Sequence, residues 1–224
     1  MPDMAGTGMT GTKDIPTGRM TTAIMDMETM GTGTTAAMAR AGDTGMAGGM
    51  TTKMSEELLE IVNEAGQVTG IARRSEIHGN PALMHRVAHV LVFNRKGEIL
   101  LQKRSIKKDV APGLWDTSVG GHVDPGETPE AAALREMKEE LGVEGPIEFL
   151  HSYKHSNPYE TELVYTFRSV IESGFKFNPE EIDEIRFWGL DEIKNGIGKE
   201  VLSSNFEHEI TTYLQKFHDE KTGF

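Results

Sequence analysis

The tightest constraint on this chain is the stretch Gly121–Val143, GHVDPGETPEAAALREMKEELGV. It carries its own start and stop signals. Thr128 can cap a helix, Pro129 fits the first helical position, and Glu130 suits the positive N-terminal end. AAALREMKEEL continues the helix, and Gly142 offers a left-handed terminus. On such a helix Glu136, Glu139 and Glu140 fall at i, i+3 and i+4 and so share one face, where like charges repel. Two readings follow from spacing. The face is solvated, with Arg135 and Lys138 as local partners, or it collects a hard divalent cation, which prefers oxygen ligands. Two adjacent glycines, Gly120 and Gly121, and a histidine, His122, stand directly ahead of it.

The rest of the chain divides by composition. Residues 1–54 hold all but two of the 13 methionines and contain no Leu, Val, Phe, Tyr or Trp. A segment rich in Met, Gly, Thr and Ala cannot bury enough apolar area to offset its ordering entropy. It is expected to be a disordered extension, with Met50 and Met54 as alternative starts if it is not native coding sequence. Residues 55–224 have a globular pattern. The formal net charge of −12 argues against nucleic acid or an anionic membrane as partner. No apolar run approaches the roughly 20 residues of a membrane span. The N-terminus lacks a basic stretch followed by an apolar core, so the expected compartment is the cytoplasm. There is no cysteine, which excludes disulfides, thiolate metal sites and cysteine nucleophiles.

Within 55–224, LLEIVNEAGQVTGIARR predicts two strands around a bend at Asn63–Gly66, and VAHVLVFNRKGEILLQKRS predicts a hairpin turning at Asn94–Gly97. A strand-like LWDTSVGG follows. Further strands are expected near Ile147–Tyr153, Glu162–Ile171 and Glu184–Gly189. The final NFEHEITTYLQKFHDE predicts an amphipathic helix with Phe206, Ile210, Tyr213, Leu214 and Phe217 on one face. Strands around one central and one terminal helix make an α+β architecture.

Gly121–Val143 matches G-x5-E-x7-R-E-U-x-E-E-x-G-U, with U an aliphatic residue, at every fixed position. It thereby resembles the Nudix hydrolase box, a loop–helix–loop that binds divalent metal and cleaves diphosphates joined to another group. The resemblance implies a Nudix-type α/β/α sandwich with a mixed sheet, the box helix and a C-terminal helix. It implies Glu136, Glu139 and Glu140 as ligands of Mg²⁺ or Mn²⁺, one of them or a water it holds serving as base. It further implies that the Gly120 carbonyl faces the metal and that Glu127 and Arg135 form an ion pair bracing the loop. The substrate would be a small-molecule diphosphate. Lys103, Arg104, Lys107 and Lys108 are placed to hold its phosphates, or form a solvated loop. Trp115 either stacks on substrate or packs in a strand, and Trp188 is expected in the core.

The region ahead of the box looks like the isopentenyl-diphosphate isomerase branch of the same superfamily. His78 and His85, His122, and Glu160 with Glu162 match the residues that jointly bind a metal there, and the alternation of a strand puts both carboxylates on one face. Each alone reads rather as an exposed loop or strand residue, and it is their combination beside a complete box that points to a second metal site. Two departures weigh against isomerisation: those isomerases place a cysteine where this chain has Gly120, and they break the box at positions matching Glu136 and Glu139. The reading is a metal-dependent hydrolase of a nucleoside or organic diphosphate. An isomerase and a non-catalytic ligand sensor remain the alternatives. An intertwined pair of N-terminal strands would support a homodimer.

Overall fold

The structure is a computed structural model and describes residues 56–217. The composition break at 1–54 and the last residues of the expected terminal helix lie outside the described residues. Nine strands and four helices follow in order. The first hairpin is β1 (Leu58–Val62) and β2 (Val68–Arg73), closed by a Gly66 N–H donated to the Asn63 carbonyl at 2.8 Å. A short helix, α1 (Arg74–Ile77), leads into β3 (Met84–Phe93) and β4 (Ile99–Arg104). The Asn94 carboxamide shapes that turn by accepting from the N–H groups of Lys96 and Glu98. LWDTSVGG does not form one strand. It splits into β5 (Trp115–Asp116) and β6 (Val119–His122), because the first part pairs with β4 and the second with β3.

The central helix, α2 (Pro129–Leu141), has the expected ends. The Thr128 hydroxyl accepts from the Ala131 N–H at 3.2 Å, and Gly142 adopts φ 64° with its N–H on the Lys138 carbonyl. Strands β7 (Glu148–Ser156), β8 (Thr161–Val170) and β9 (Ile182–Trp188) fall within three residues of expectation. The chain ends with α3 (Leu190–Gly196) and α4 (Ser204–Phe217). Neither α1 nor α3 stands out in the sequence; each is two turns or less and too short to show a period.

β3 organises the sheet. Its whole length pairs in parallel with β8, and β1, β6 and β4 share its opposite edge, all antiparallel. Side chains on a strand alternate between faces. Ala88, Val90 and Val92 meet Ala132, Ala133, Met137 and Leu141 of α2 on one face. Leu91 and Phe93 meet Ile193, Phe206 and Ile210 of α3 and α4 on the other. The result is a three-layer α/β/α sandwich on a mixed sheet. Burying a side chain such as Phe206 or Ile210 against the sheet contributes about 1.5–3 kcal/mol. Trp188 is buried in the second core, edge-on to Trp115 at 5.2 Å between ring centroids. Among the described residues no helix is long and apolar enough to cross a membrane.

Candidate functional site

The two glycines of β6 let α2 come close. A Cβ on Gly121 would collide with the Glu136 carboxylate, which holds its present place only because this position has no side chain. Glu140 reaches the same strand: its Oε2 accepts from the Gly120 N–H at 3.3 Å and from Gln102 Nε2 at 3.0 Å. Burial first, and then the Glu136 charge, push the Glu140 carboxyl up to about 8. Burial also raises Glu136, against the pull of Arg135. Two carboxylates that resist ionisation side by side form a donor set suited to a hard cation. Glu139 is more open, at 59% side-chain exposure.

Arg135 braces this arrangement. It donates to both Glu127 oxygens at 3.2 and 2.9 Å, to Glu136 at 2.6 Å and to the His122 carbonyl at 2.9 Å. The guanidinium fork thus ties loop, strand and helix together. The expected Glu127–Arg135 pair forms, and Arg135 also holds Glu136.

A second cluster borders the same cleft, whose volume is about 450 Å³: His78, His122, Glu160 and Glu162 line it and His85 is buried behind them. The five residues come from four places: His78 after α1, His85 on β3, His122 at the end of β6, and Glu160 and Glu162 at the start of β8. The parallel register sets His85 opposite Glu162. Ring centroids of His78, His85 and His122 are 5.1–5.8 Å apart. One donor atom from each of these three fits within a 4.8 Å spread, as do donors of His85, Glu160 and Glu162. His78 Nε2 is 3.4 Å from Glu160, and Asn205 donates to Glu162 at 2.7 Å. Both ring nitrogens of His85 are buried without a hydrogen-bond partner, which a metal-binding role would explain. Burial, with His122 and His78 adding to it, lowers His85 to about 3, keeping it in the neutral, ligating form. Burial and then Glu160 raise Glu162 to about 7.

The basic stretch divides by strand alternation. Arg104, Lys107 and Lys108 line the cleft, whereas Lys103 points to the opposite face of β4 from Gln102 and Arg104 and is not on its wall. Arg104 pairs with Asp116 at 3.3 Å, and Lys107 with Glu180 at 2.6 Å on the rim. Gly120 points its N–H at Glu140, while Trp115 packs against the second core rather than lining the cleft.

Several contributing residues were not foreseen. Glu57 accepts from His122 Nδ1 at 2.7 Å, fixing that ring. Gln102 orients Glu140. Behind Gly120, His89 Nδ1 pairs with the fully buried Glu209 of α4 at 3.2 Å, and Thr166 donates to the same oxygen at 2.8 Å. A polar residue inside an apolar strand run is the available signal for His89 in VAHVLVF and for Gln102 in ILLQKR.

A sequence profile of the NUDIX domain matches residues 83–206. An isopentenyl-diphosphate Delta-isomerase of Streptomyces avermitilis is 35% identical over 156 residues, 66% of this chain and 79% of that protein. Nudix hydrolase 3 of Arabidopsis thaliana is 31% identical over 163 residues, 66% of this chain and 21% of that protein. Among solved structures, the Deinococcus radiodurans protein DR0079 superposes with a TM-score of 0.58 at 30% identity, over 70% of this chain and 98% of that one.

Proposed function

The chain belongs to the NUDIX domain family, and on that premise we propose that it is a Mg²⁺- or Mn²⁺-dependent hydrolase of the diphosphate linkage in a small nucleoside or organic diphosphate derivative. The observation that carries this reading is the close docking of Glu136 and Glu140 onto Gly120 and Gly121, with Glu139 at the open end of the same helix face. Glu136, Glu139 and Glu140 would hold the metal, which when bound supplies charge neutralisation of the diphosphate and acidification of the attacking water. Gln102 fixes Glu140 Oε2, and Arg135 holds Glu136 Oε1, so neither carboxylate needs to reorganise. Arg104, Lys107 and Lys108 stand on another wall of the cleft, where they would receive phosphate oxygens.

Isomerisation is the second reading, favoured by the histidine–glutamate cluster and by the name of the Streptomyces relative. The cluster would hold a further divalent ion through neutral imidazoles and two carboxylates. Against protonation of an alkene stands the absence of cysteine. A Cβ on Gly120 would sit 3.1 Å from His89 Cδ2 and Nε2 and 3.3 Å from Thr117 Cγ2, so a side chain there requires His89, which is paired with Glu209, or Thr117 to give slightly.

The test is phosphate release across a panel of nucleotide sugars, dinucleoside polyphosphates and organic diphosphates, with Glu139→Gln and Glu140→Gln as controls. Loss of release in both variants supports hydrolysis at this face. Unchanged turnover in both rejects it. Conversion of isopentenyl to dimethylallyl diphosphate, followed by mass-resolved product analysis without phosphate release, would establish the second reading instead.

A further inference from the structure

Beside the polar cleft lies a larger hollow of about 840 Å³, within the roughly 300–1,000 Å³ of typical small-molecule sites. Eight residues, His78, Asp109, Ala111 and Glu160 among them, line both spaces, so the two adjoin. Across that shared wall the chemistry changes. The cleft is walled by carboxylates, imidazoles and basic groups, whereas Leu114, Pro158, Tyr159 and Leu202 line the annex alone. Tyr159 is 69% exposed there, an aromatic face with no buried role.

We propose that this annex holds the organic group of the diphosphate substrate, and that the group has an apolar body and a neutral or cationic far end. The inference rests on the diphosphate reading above and adds which diphosphates are taken. Apolar lining excludes the doubly charged phosphates from the annex and favours hydrocarbon. The wall that the annex does not share carries Glu200 and Glu207, which repel an anionic terminus. Backbone geometry marks the same place. Ala111 and Glu200, with φ 47° and 56°, are the non-glycine residues at positive φ among those described, and both line the annex. Such conformations are sparsely populated and persist where surrounding structure holds a particular shape.

The experiment is calorimetric titration of the full chain, with Mg²⁺ present, by non-hydrolysable methylenediphosphonate esters of n-butanol, n-octanol and 8-hydroxyoctanoic acid. The octyl ester should bind at least about tenfold tighter than the butyl ester, below the gain for complete burial of the added methylenes. The carboxylated chain should lose most of that gain. Tyr159→Asp, at an exposed position, and Leu114→Asp, checked for folding by circular dichroism, should each flatten the dependence on chain length. Equal affinity of butyl and octyl esters in the wild type, or a length dependence unaltered in both variants, overturns the annex and leaves the diphosphate reading intact. Failure of every ester to bind with Mg²⁺ or Mn²⁺ overturns both.

Discussion

His89 and Glu209 form a buried ion pair whose contribution has a definite pH signature. Burial alone would lower the His89 pKa, but the Glu209 charge and hydrogen bond prevail and raise it from an ordinary 6.5 to about 9. A rise of that size corresponds to roughly 3 kcal/mol at about 1.4 kcal/mol per unit. The side chains are 6% and 0% exposed, so solvent screens the pair little. The sign follows from the raised value. Below the unfolded-state pKa the imidazolium is present in both states and the folded state gains the full contribution. As pH climbs from there through about 9, folding requires uptake of a proton that solution no longer supplies, and the contribution is lost. Glu209→Gln keeps the shape and removes the charge. Urea unfolding of wild type and variant at about pH 6 should differ by roughly 3 kcal/mol, and the difference should shrink toward zero or reverse by about pH 10. A penalty that stays constant over this range would show that the pair is not ionised in the folded protein and refute the reasoning.

Three other outcomes follow from the geometry. Gly121→Ala places a methyl 2.1 Å from Glu136 Cδ and must displace that carboxylate, so hydrolysis should fall roughly a hundredfold while unfolding free energy changes by about 1 kcal/mol; equal losses in a folding assay would point to general damage. His85→Ala should remove one equivalent of bound divalent metal, read by mass spectrometry after dialysis, and leave the Glu136–Glu140 site loaded; an unchanged metal count would mean that the histidine cluster binds none. Arg135→Ala strips donors from Glu127, Glu136 and the His122 carbonyl at once and should cost about 2–4 kcal/mol, read as a lower urea midpoint.

What could be read in the sequence was whatever the chain encodes locally. The cap at Thr128, the left-handed Gly142 and the Asn-initiated turns are decided within a few residues, so α2 and the β1–β2 hairpin match expectation, whereas β3 and β4 keep the expected turn but pair only at Phe93–Ile99 before each takes other partners. His78, His85, His122, Glu160 and Glu162 were collected through family resemblance, and their meeting depends on pairings that no local rule contains. The unforeseen residues act across long separations. Glu57 reaches His122, Gln102 reaches Glu140, and Glu209 reaches His89, each between different elements. Lys103 shows the converse. It stands in a basic run, yet the two-residue period of β4 sends it to the face opposite Arg104.

The parallel pairing of β3 with β8 also has a kinetic consequence. His85 and Glu162 become neighbours only when two strands 77 residues apart in the chain (162 − 85) align in register. Closing so long a loop costs entropy before any contact repays it, so this step is expected to come late in folding. By contrast α2 and the β1–β2 hairpin can form from local signals. Metal capture by the histidine cluster should therefore lag behind helix formation in refolding, and would report the moment at which the sheet closes.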